Sequence, residues 1–394
     1  MNAAFPTIAQ TLMSDLGPEL KAVYLFGSQT RDGLATAVSD TNLLLITSPN
    51  ANVQAVRQSF YPLWQRHSGL LKRAPLVASQ NALQRHLRFN PHLALHLLQY
   101  GQQLAGSTQP ATLFRTRVNP YEVYAHLAHE LMEASAALNE QSALETKQHL
   151  HRLVRQVTNK PVPMGQTAVA QFNIMQQALT AVLNQLPAAQ TWHKAAQTGQ
   201  TSPTIPGLQA IYNENHKNIF VFNQLTPRQI AQINWQALAQ HLPKSDDALH
   251  ITTVAQFCLM ALYDKALDLR FNKYQHKWGI NFLSKLTPSS PQILRQAARV
   301  PSQILIADLP HSYFTAPDAS DETLHKLIHD YQNRMLNIQL ENELLFRLGI
   351  IPAKFEPPEP LPDRTASPAK RLDAIFQHLD WWADFYQTAL QAQT

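Results

Sequence analysis

The stretch that decides the fold is Leu25-Phe26-Gly27-Ser28, followed after a polar loop by Ser39-Asp40-Thr41-Asn42-Leu43-Leu44-Leu45. Both apolar runs are short and bounded by turn-forming residues, which is typical of buried strands. Glycine lets the backbone approach a phosphate, and a serine hydroxyl with the following amides can donate to phosphate oxygens. Side chains alternate along a strand, so Asp40 and Asn42 share one face. The stretch predicts a corner that holds a phosphate beside a Mg²⁺ ion.

Further elements surround this corner in the first third of the chain. We predict a helix over Thr7 to Ser14, a third short strand at Leu76 to Ala78, and two helices at about 80–87 and 91–100. Ser79 is placed to cap the first of these two helices. Together they predict an α/β domain over residues 1–107, with a small mixed sheet and helices packed on it.

These residues resemble the signature of the nucleotidyltransferase superfamily, which has the DNA polymerase beta-like fold. That signature is an apolar strand, Gly-Ser, a spacer, then Ser-Asp-x-Asp and a second apolar strand. The matching residues are Gly27, Ser28, Arg31, Ser39 and Asp40. The resemblance is to bacterial members with an appended helical domain. It implies that Gly27, Ser28, Arg31 and Ser39 bind a nucleoside triphosphate, and that Asp40 and Asn42 hold Mg²⁺ as the catalytic pair.

The acidic motif is degenerate. The second acid of the family pattern is Asn42 here, and a carboxamide oxygen brings no charge to a metal ion. The third family carboxylate is expected on the next strand, but Leu76 to Ser79 contains no acid. Two-metal transfer depends on such acids to position both ions. The sequence therefore leaves three expectations open: a domain whose catalysis is weak or lost, a transferase using a displaced acid, and a chance Gly-Ser…Ser-Asp match between two unrelated strands.

The remainder of the chain is rich in alanine, leucine and glutamine and poor in glycine, which favours helices. Proline-marked breaks divide it. We predict a helical region over 118–198, a second helical region over 208–350, a proline-rich connector over 351–368 and a C-terminal docking helix over 369–394. The fold class is thus an α/β head followed by a mostly α-helical region. No internal repeat is evident in the sequence.

Composition sets broad limits. The chain has 394 residues, a formal net charge of +5 and a single cysteine, so no intrachain disulfide can form. The mild positive charge permits contact with a nucleotide or a nucleic acid without requiring it. No signal-peptide pattern and no long apolar span is seen. We expect no membrane contact and a cytoplasmic location.

Other candidate sites have simpler explanations. A helix face carrying His126, His129, Glu130 and Glu133 could chelate a metal, as could His325 with His329, but both read more simply as ordinary helix flanks. Two basic stretches could contact a nucleic acid, one at 147–160 and one at 270–278 that also carries aromatic residues. A solvated helix face and a packed aromatic loop explain these stretches as well.

Three functions follow as hypotheses. The first is Mg²⁺-dependent transfer of a nucleoside monophosphate from a nucleoside triphosphate to an acceptor hydroxyl, with an RNA or a protein as the acceptor. The second is a catalytically inactive module on the same fold that binds a nucleotide, an RNA or a protein. The third is an assembly protein, since the helical fraction is large and the proline connector is long.

Overall fold

The computed structural model contains two units. The first combines Met1–Val118 with Leu294–Thr394, and the second is Asn119–Ile293. The structure describes residues 3–27, 41–49, 51–71, 73–107, 110–114, 119–138, 167–186, 192, 205–214, 217–240, 248–316, 321–354, 361–362 and 365–393.

The first unit is built on a four-stranded sheet in the order β3-β2-β1-β4. Its strands are β1 Leu20–Gly27, β2 Thr41–Thr47, β3 Leu76–Ser79 and β4 Gln102–Gly106. Its N-terminal helices are α1 Ala4–Leu16, α2 Val53–Arg66, α3 Gln80–Phe89, α4 Pro91–Tyr100 and α5 Pro110–Leu113. Seven of the eight β1 residues are buried, because helices cover both faces of this strand. The mixed α/β head predicted from the sequence is therefore present.

The C-terminal residues belong to this first unit. Their helices are α12 Ser290–Gln303, α13 Leu309–Thr315, α14 Asp321–Arg347 and α15 Pro368–Gln391. The final helix buries Leu372, Ile375, Leu379 and Trp382, and it packs on α14 and α3. Arg85 of α3 forms ion pairs with Asp380 and Asp384 of α15.

The second unit contains another sheet, which the sequence analysis did not predict. Its strands are β5 Leu208–Glu214, β6 Lys217–Phe222, β7 Ala248–Thr253 and β8 Gln275–Gly279. The helices are α6 Pro120–Ser135, α7 Ala168–Leu183, α8 Pro227–Ala231, α9 Trp235–Ala239, α10 Val254–Tyr263 and α11 Ala266–Arg270. The prediction of a second helical region over 208–350 missed these four strands, because helix-forming composition does not exclude short strands buried between helices. The apolar run Ile219 to Phe222 was the available signal.

The two sheets have the same topology. The second sheet has the order β7-β6-β5-β8. If the strands of each sheet are numbered along the chain, both sheets have the order 3-2-1-4. In each, the first two strands are antiparallel, the third is parallel to the second, and the fourth is antiparallel to the first. The fold is therefore a mixed α/β architecture with one sheet plan used twice.

The correspondence extends to individual pairs of residues. Tyr24 lies opposite Leu44 in the first sheet, and Tyr212 lies opposite Ile219 in the second. The register shifts directly after Leu20 in one sheet and directly after Leu208 in the other. Aligned this way, Leu20, Ala22 and Tyr24 correspond to Leu208, Ala210 and Tyr212, with Pro18 and Pro206 before them.

The fourth strands also match. Gly106 ends β4 opposite Ala22, and Gly279 ends β8 opposite Ala210. Both glycines have a positive φ, at 93° and 81°. The chain thus carries an internal repeat that the sequence did not reveal, because the identical residues are few and the connections between the strands differ in length.

Candidate functional site

The predicted nucleotide and metal corner is only partly described. Gly27 is the last residue of β1, and Asn42 is the second residue of β2. Ser28, Arg31, Ser39 and Asp40 lie outside the described residues. Of this corner, the structure describes the end of β1 and the start of β2.

These strand ends are directly paired. Gly27 lies opposite Thr41, and Phe26 lies opposite Asn42. Gly27 has φ 98°, a conformation that residues with a Cβ rarely adopt. The chain neighbours of the Gly27–Thr41 pair are Ser28 on one side and Asp40 on the other. The Asn42 side chain is half-buried, so its amide is not sealed in the core.

The strand beside Asn42 supplies no acid. β3 is parallel to β2 and pairs Leu44 with Leu76 and Thr47 with Ser79. The Ser79 hydroxyl accepts a hydrogen bond from the backbone N–H of Ala82 at 3.2 Å, so it caps α3. The segment entering β3 is Lys72-Arg73-Ala74-Pro75. The four residues of β3, where the sequence analysis expected the third carboxylate, are Leu76, Val77, Ala78 and Ser79, and none is acidic.

The second sheet carries different residues at the matching positions. Glu214 ends β5 opposite Lys217, the first residue of β6. The Glu214–Lys217 pair lies two positions along the ladder from the Tyr212–Ile219 pair. The Phe26–Asn42 pair lies two positions from the Tyr24–Leu44 pair in the same direction. Lys217 therefore corresponds to Asn42. The lysine brings a positive charge to the position that corresponds to the predicted metal ligand Asn42.

Lys217 is held by a helix of its own unit. Its Nζ lies 2.7 Å from Oε1 of Glu133 on α6. The same carboxylate oxygen lies 3.3 Å from Nε2 of His129, one helical turn earlier. Burial alone would raise the pKa of Glu133, but hydrogen bonds from His129 and Lys217 lower it to about 2. Glu133 is therefore ionised and shared between two donors.

His129 joins this pair to a buried carboxylate. Its Nδ1 lies 2.7 Å from Oδ2 of Asp264, which follows α10 and is 2% exposed. Burial acts to lower the pKa of His129, but the hydrogen bonds to Asp264 and Glu133 outweigh it and raise the pKa. An imidazole between two carboxylates is stabilised in its charged form, so the network alternates acidic and basic groups.

Two buried polar groups lie next to the network. His250 on β7 is 3% exposed, and its Nδ1 lies 3.2 Å from the carbonyl oxygen of Met132, so Nδ1 carries the proton. Burial lowers the pKa of His250, which keeps the ring neutral. Burial also raises the pKa of Tyr274, and the carboxylates of Glu214 and Asp268 raise it further. Within the described part of the chain, the Tyr274 hydroxyl has no hydrogen-bond partner.

The histidine candidates do not form a metal centre in the described ranges, where no group of three or more ligating side chains is assembled. His126 Nδ1 lies 3.9 Å from Asp264, beside the His129 contact. His325 contacts Arg371, and His329 contacts Asn333, so this second pair points at different partners. The helical spacing correctly places each set of side chains on one helix face. Their contacts, however, are with residues of other elements or of the same helix, and not with a shared metal ion.

The aromatic and basic stretch at 270–278 is mainly structural. Tyr274 is buried, and Trp278 packs against the core of the second unit. Lys273 forms an ion pair with Asp268 at 2.8 Å, and Lys277 donates to Gln275. These contacts favour the packed aromatic loop over a base-stacking surface. The other basic stretch, 147–160, lies outside the described residues.

A cavity lies at the opposite end of the second sheet. It has a volume of about 320 Å³ and is lined by α7, by the chain that follows β6, and by the start of α10. Its polar lining includes Thr180, Asn223, Thr226 and Thr253, and none of the described residues that line it is charged. Gln256 fixes one wall, because it donates to Gln176 at 3.0 Å and forms a capping box with Thr253.

Comparisons with known proteins gave no relative. No protein-family model, no curated protein and no solved structure matches the chain. Among the described helices, none is long and apolar enough to cross a membrane.

Proposed function

We propose that the head of this chain is a nucleotidyltransferase-type domain that binds a nucleoside triphosphate where β1 ends and β2 begins, and that nucleotidyl transfer there is weak or lost. The supporting observation is the direct pairing of Gly27 with Thr41, with Gly27 at a positive φ. Ser28 and Asp40, the phosphate-binding and metal-binding candidates, are the chain neighbours of this pair.

The loss of acidic residues from the family motif supports weak or lost nucleotidyl transfer. Asp40 is the acid of the family pattern that this sequence retains, and Asn42 can offer Mg²⁺ only a neutral oxygen. Glu133 of the helical body is a candidate for the displaced acid that would replace a missing ligand. It is already held by Lys217 and His129 within its own unit. A single carboxylate can hold one ion beside a triphosphate, while a two-metal mechanism needs more.

The second sheet is proposed to be a copy of the same fold without a metal site. Lys217 stands at the position of Asn42, and its ammonium group is neutralised by Glu133. A divalent ion at that corner would be repelled by the lysine and would have to break the ion pair. We therefore expect one metal-dependent nucleotide site per chain, located in the first unit.

Calorimetric titration with ATP tests this proposal. With Mg²⁺ we expect one ATP bound per chain, and without the metal we expect binding to weaken at least tenfold, since the ion bridges phosphate and carboxylate. The change Asp40→Ala should remove the metal dependence. Metal-independent binding, or no binding, would contradict the proposal.

The change Asn42→Asp restores the second acid. Its added charge beside Asp40 should tighten the Mg²⁺-dependent ATP binding by about tenfold, because Mg²⁺ prefers charged oxygen ligands. The matched control is Asn223→Asp, which adds the same carboxylate to a half-buried asparagine after β6 in the second unit. An unchanged affinity in Asn42→Asp would indicate that the corner is structural.

An RNA or protein acceptor and a cytoplasmic location stay predictions from the sequence.

A further inference from the structure

The cavity of the second unit has the position and the size of a ligand site. It lies where the parallel strands β6 and β7 end, at Phe222 and Thr253. Its walls are the chain that leaves β6, the start of α10, and α7. In α/β sheets, small molecules bind outside the carboxyl ends of the strands. The volume of about 320 Å³ falls within the range of ligand pockets, which is about 300 to 1,000 Å³.

A buried pair of glutamines connects two of these walls. Gln256 of α10 donates to Oε1 of Gln176 of α7 at 3.0 Å, and both side chains are almost fully buried. Gln176 donates in turn to the Thr180 hydroxyl at 3.5 Å. The backbone N–H of Gln256 donates to the Thr253 hydroxyl at 3.4 Å. Because Thr180 and Thr253 both line the cavity, their positions are set by hydrogen bonds before a ligand binds.

These bonds leave hydrogen-bond donors in the cavity lining. The hydroxyl oxygens of Thr180 and Thr253 each accept one hydrogen bond, and each hydroxyl proton can be donated to a bound molecule. Oδ1 of Asn223 accepts from the backbone N–H of Gln224 at 2.7 Å, so the Nδ2 hydrogens are left for another acceptor. The cavity therefore calls for a ligand that brings several acceptor atoms.

The charge and the apolar part of the lining narrow the class of ligand. None of the described residues that line the cavity is charged, so no cation among them would compensate a phosphate or a carboxylate. A carbonyl oxygen is an uncharged acceptor that suits both hydroxyl and amide donors. Leu225 and Ala255 are buried in the lining and supply apolar contacts. The combination fits a small uncharged ring that carries carbonyl oxygens.

We propose that this cavity binds a neutral cyclic amide or imide, whose carbonyl oxygens accept hydrogen bonds from Thr180, Thr253 and Asn223. The cavity belongs to the second unit, whereas the nucleoside triphosphate is proposed to bind at strand ends of the first unit. Neither proposal depends on the other. Uracil is the probe, because its ring carries two carbonyl groups and no charge.

Titration of the full chain with uracil, followed by saturation-transfer NMR and calorimetry, measures the binding. We expect saturable binding of one uracil per chain. Orotate is the same ring with an added carboxylate, and it should bind at least about tenfold more weakly because its charge would be buried without a cation. Absence of uracil binding overturns the proposal. Tighter binding of orotate would indicate an anion site and would overturn the proposed class of ligand.

The change Asn223→Asp tests the location. It keeps an oxygen that accepts from Gln224 but replaces the amide donor by a carboxylate, so uracil binding should weaken at least about tenfold. The matched control is Asn234→Asp, since Oδ1 of Asn234 accepts from the backbone N–H of Ala237 in the same way and Asn234 does not line the cavity. The control should keep the native affinity for uracil. Equal losses in the two variants would reflect a general effect of charge and overturn the location.

The change Thr180→Val removes one hydroxyl donor at nearly constant volume. Uracil binding should weaken roughly three- to tenfold, which is the contribution of one neutral hydrogen bond. The midpoint of urea unfolding, measured in parallel, separates a lost contact from a lost fold, and Asn223→Asp decides the location if Thr180→Val is destabilised. A folded Thr180→Val chain with native affinity for uracil would overturn the assigned contact.

Discussion

At the scale of single residues, the second unit contains a network of four ionisable side chains. Lys217, Glu133, His129 and Asp264 connect the start of β6, the helix α6 and the end of α10. Asp264 is nearly inaccessible, and a buried carboxylate is tolerated only when cationic or donor groups surround it. The residues that resembled a chelating helix face thus serve to hold three elements together.

The Glu133–Lys217 pair gives a pH-dependent prediction. The change Lys217→Met should lower the free energy of unfolding at pH 7 by about 1 kcal/mol, since both partners are partly exposed. The pKa of Glu133 falls from an ordinary 4.5 to about 2 in the folded chain, so its contribution is complete above pH 4.5 and is lost as the pH falls towards 2. The difference between variant and native chain should shrink over that interval in urea titrations.

A control separates this effect from general charge changes. Lys326 lies exposed on α14, and Lys326→Met should change stability by less than about 0.5 kcal/mol at every pH. If the Lys217→Met difference were the same at pH 3 and pH 7, the ion pair would not be the cause.

At the scale of elements, the fourth strand of each sheet ends at a glycine where a side chain would clash with the neighbouring backbone. A Cβ on Gly106 would lie against the carbonyl oxygen of Lys21, and a Cβ on Gly279 would lie against that of Gln209. Both glycines also have a positive φ. A glycine with a positive φ therefore occupies the same sheet position in both units, where a bulged strand approaches its neighbour closely.

The changes Gly106→Ala and Gly279→Ala should each lower the free energy of unfolding by at least about 2 kcal/mol, because backbone strain adds to a steric clash that a rigid strand cannot relieve. Thermal or urea unfolding measures this loss. Gly69→Ala is the matched control: a Cβ there meets nothing within 4 Å, and no effect beyond about 0.5 kcal/mol is expected. A stable Gly279→Ala protein would contradict the proposed close approach.

At the scale of the whole molecule, the two units differ in continuity. The second unit is one uninterrupted segment, Asn119–Ile293, with its own buried core around Phe172, Phe220 and Leu259. The first unit needs both ends of the chain, because residues 294–394 pack with residues 1–118. Continuity along the chain and a self-contained core are what independent folding requires.

The segment 119–293 expressed alone should therefore fold. We expect helical circular dichroism and a single cooperative urea transition. The segment 1–118 alone should not give such a transition, because its sheet would lack α12 to α15. An unfolded 119–293 segment, or a cooperative 1–118 segment, would contradict this division.

The sequence by itself determined the strands β1, β2 and β3 to within a few residues, whereas it did not predict β4. The runs Leu25-Phe26 and Leu43 to Ile46 are apolar on both faces and bounded by turn residues, so only buried strands suit them. The same local logic found Ser79 as a cap and found the final amphipathic helix, because strand burial, capping and helix periodicity act over a few neighbouring residues.

Only the tertiary structure decided that a second sheet repeats the first. β5 to β8 are short, their connections are unlike those of β1 to β4, and their equivalence lies in register and bulges, which depend on residues far apart in sequence. For the same reason the sequence placed Glu133 and His129 on one helix face but could not pair them with Lys217 and Asp264. Long-range contacts fix such partners, and local patterns do not encode them.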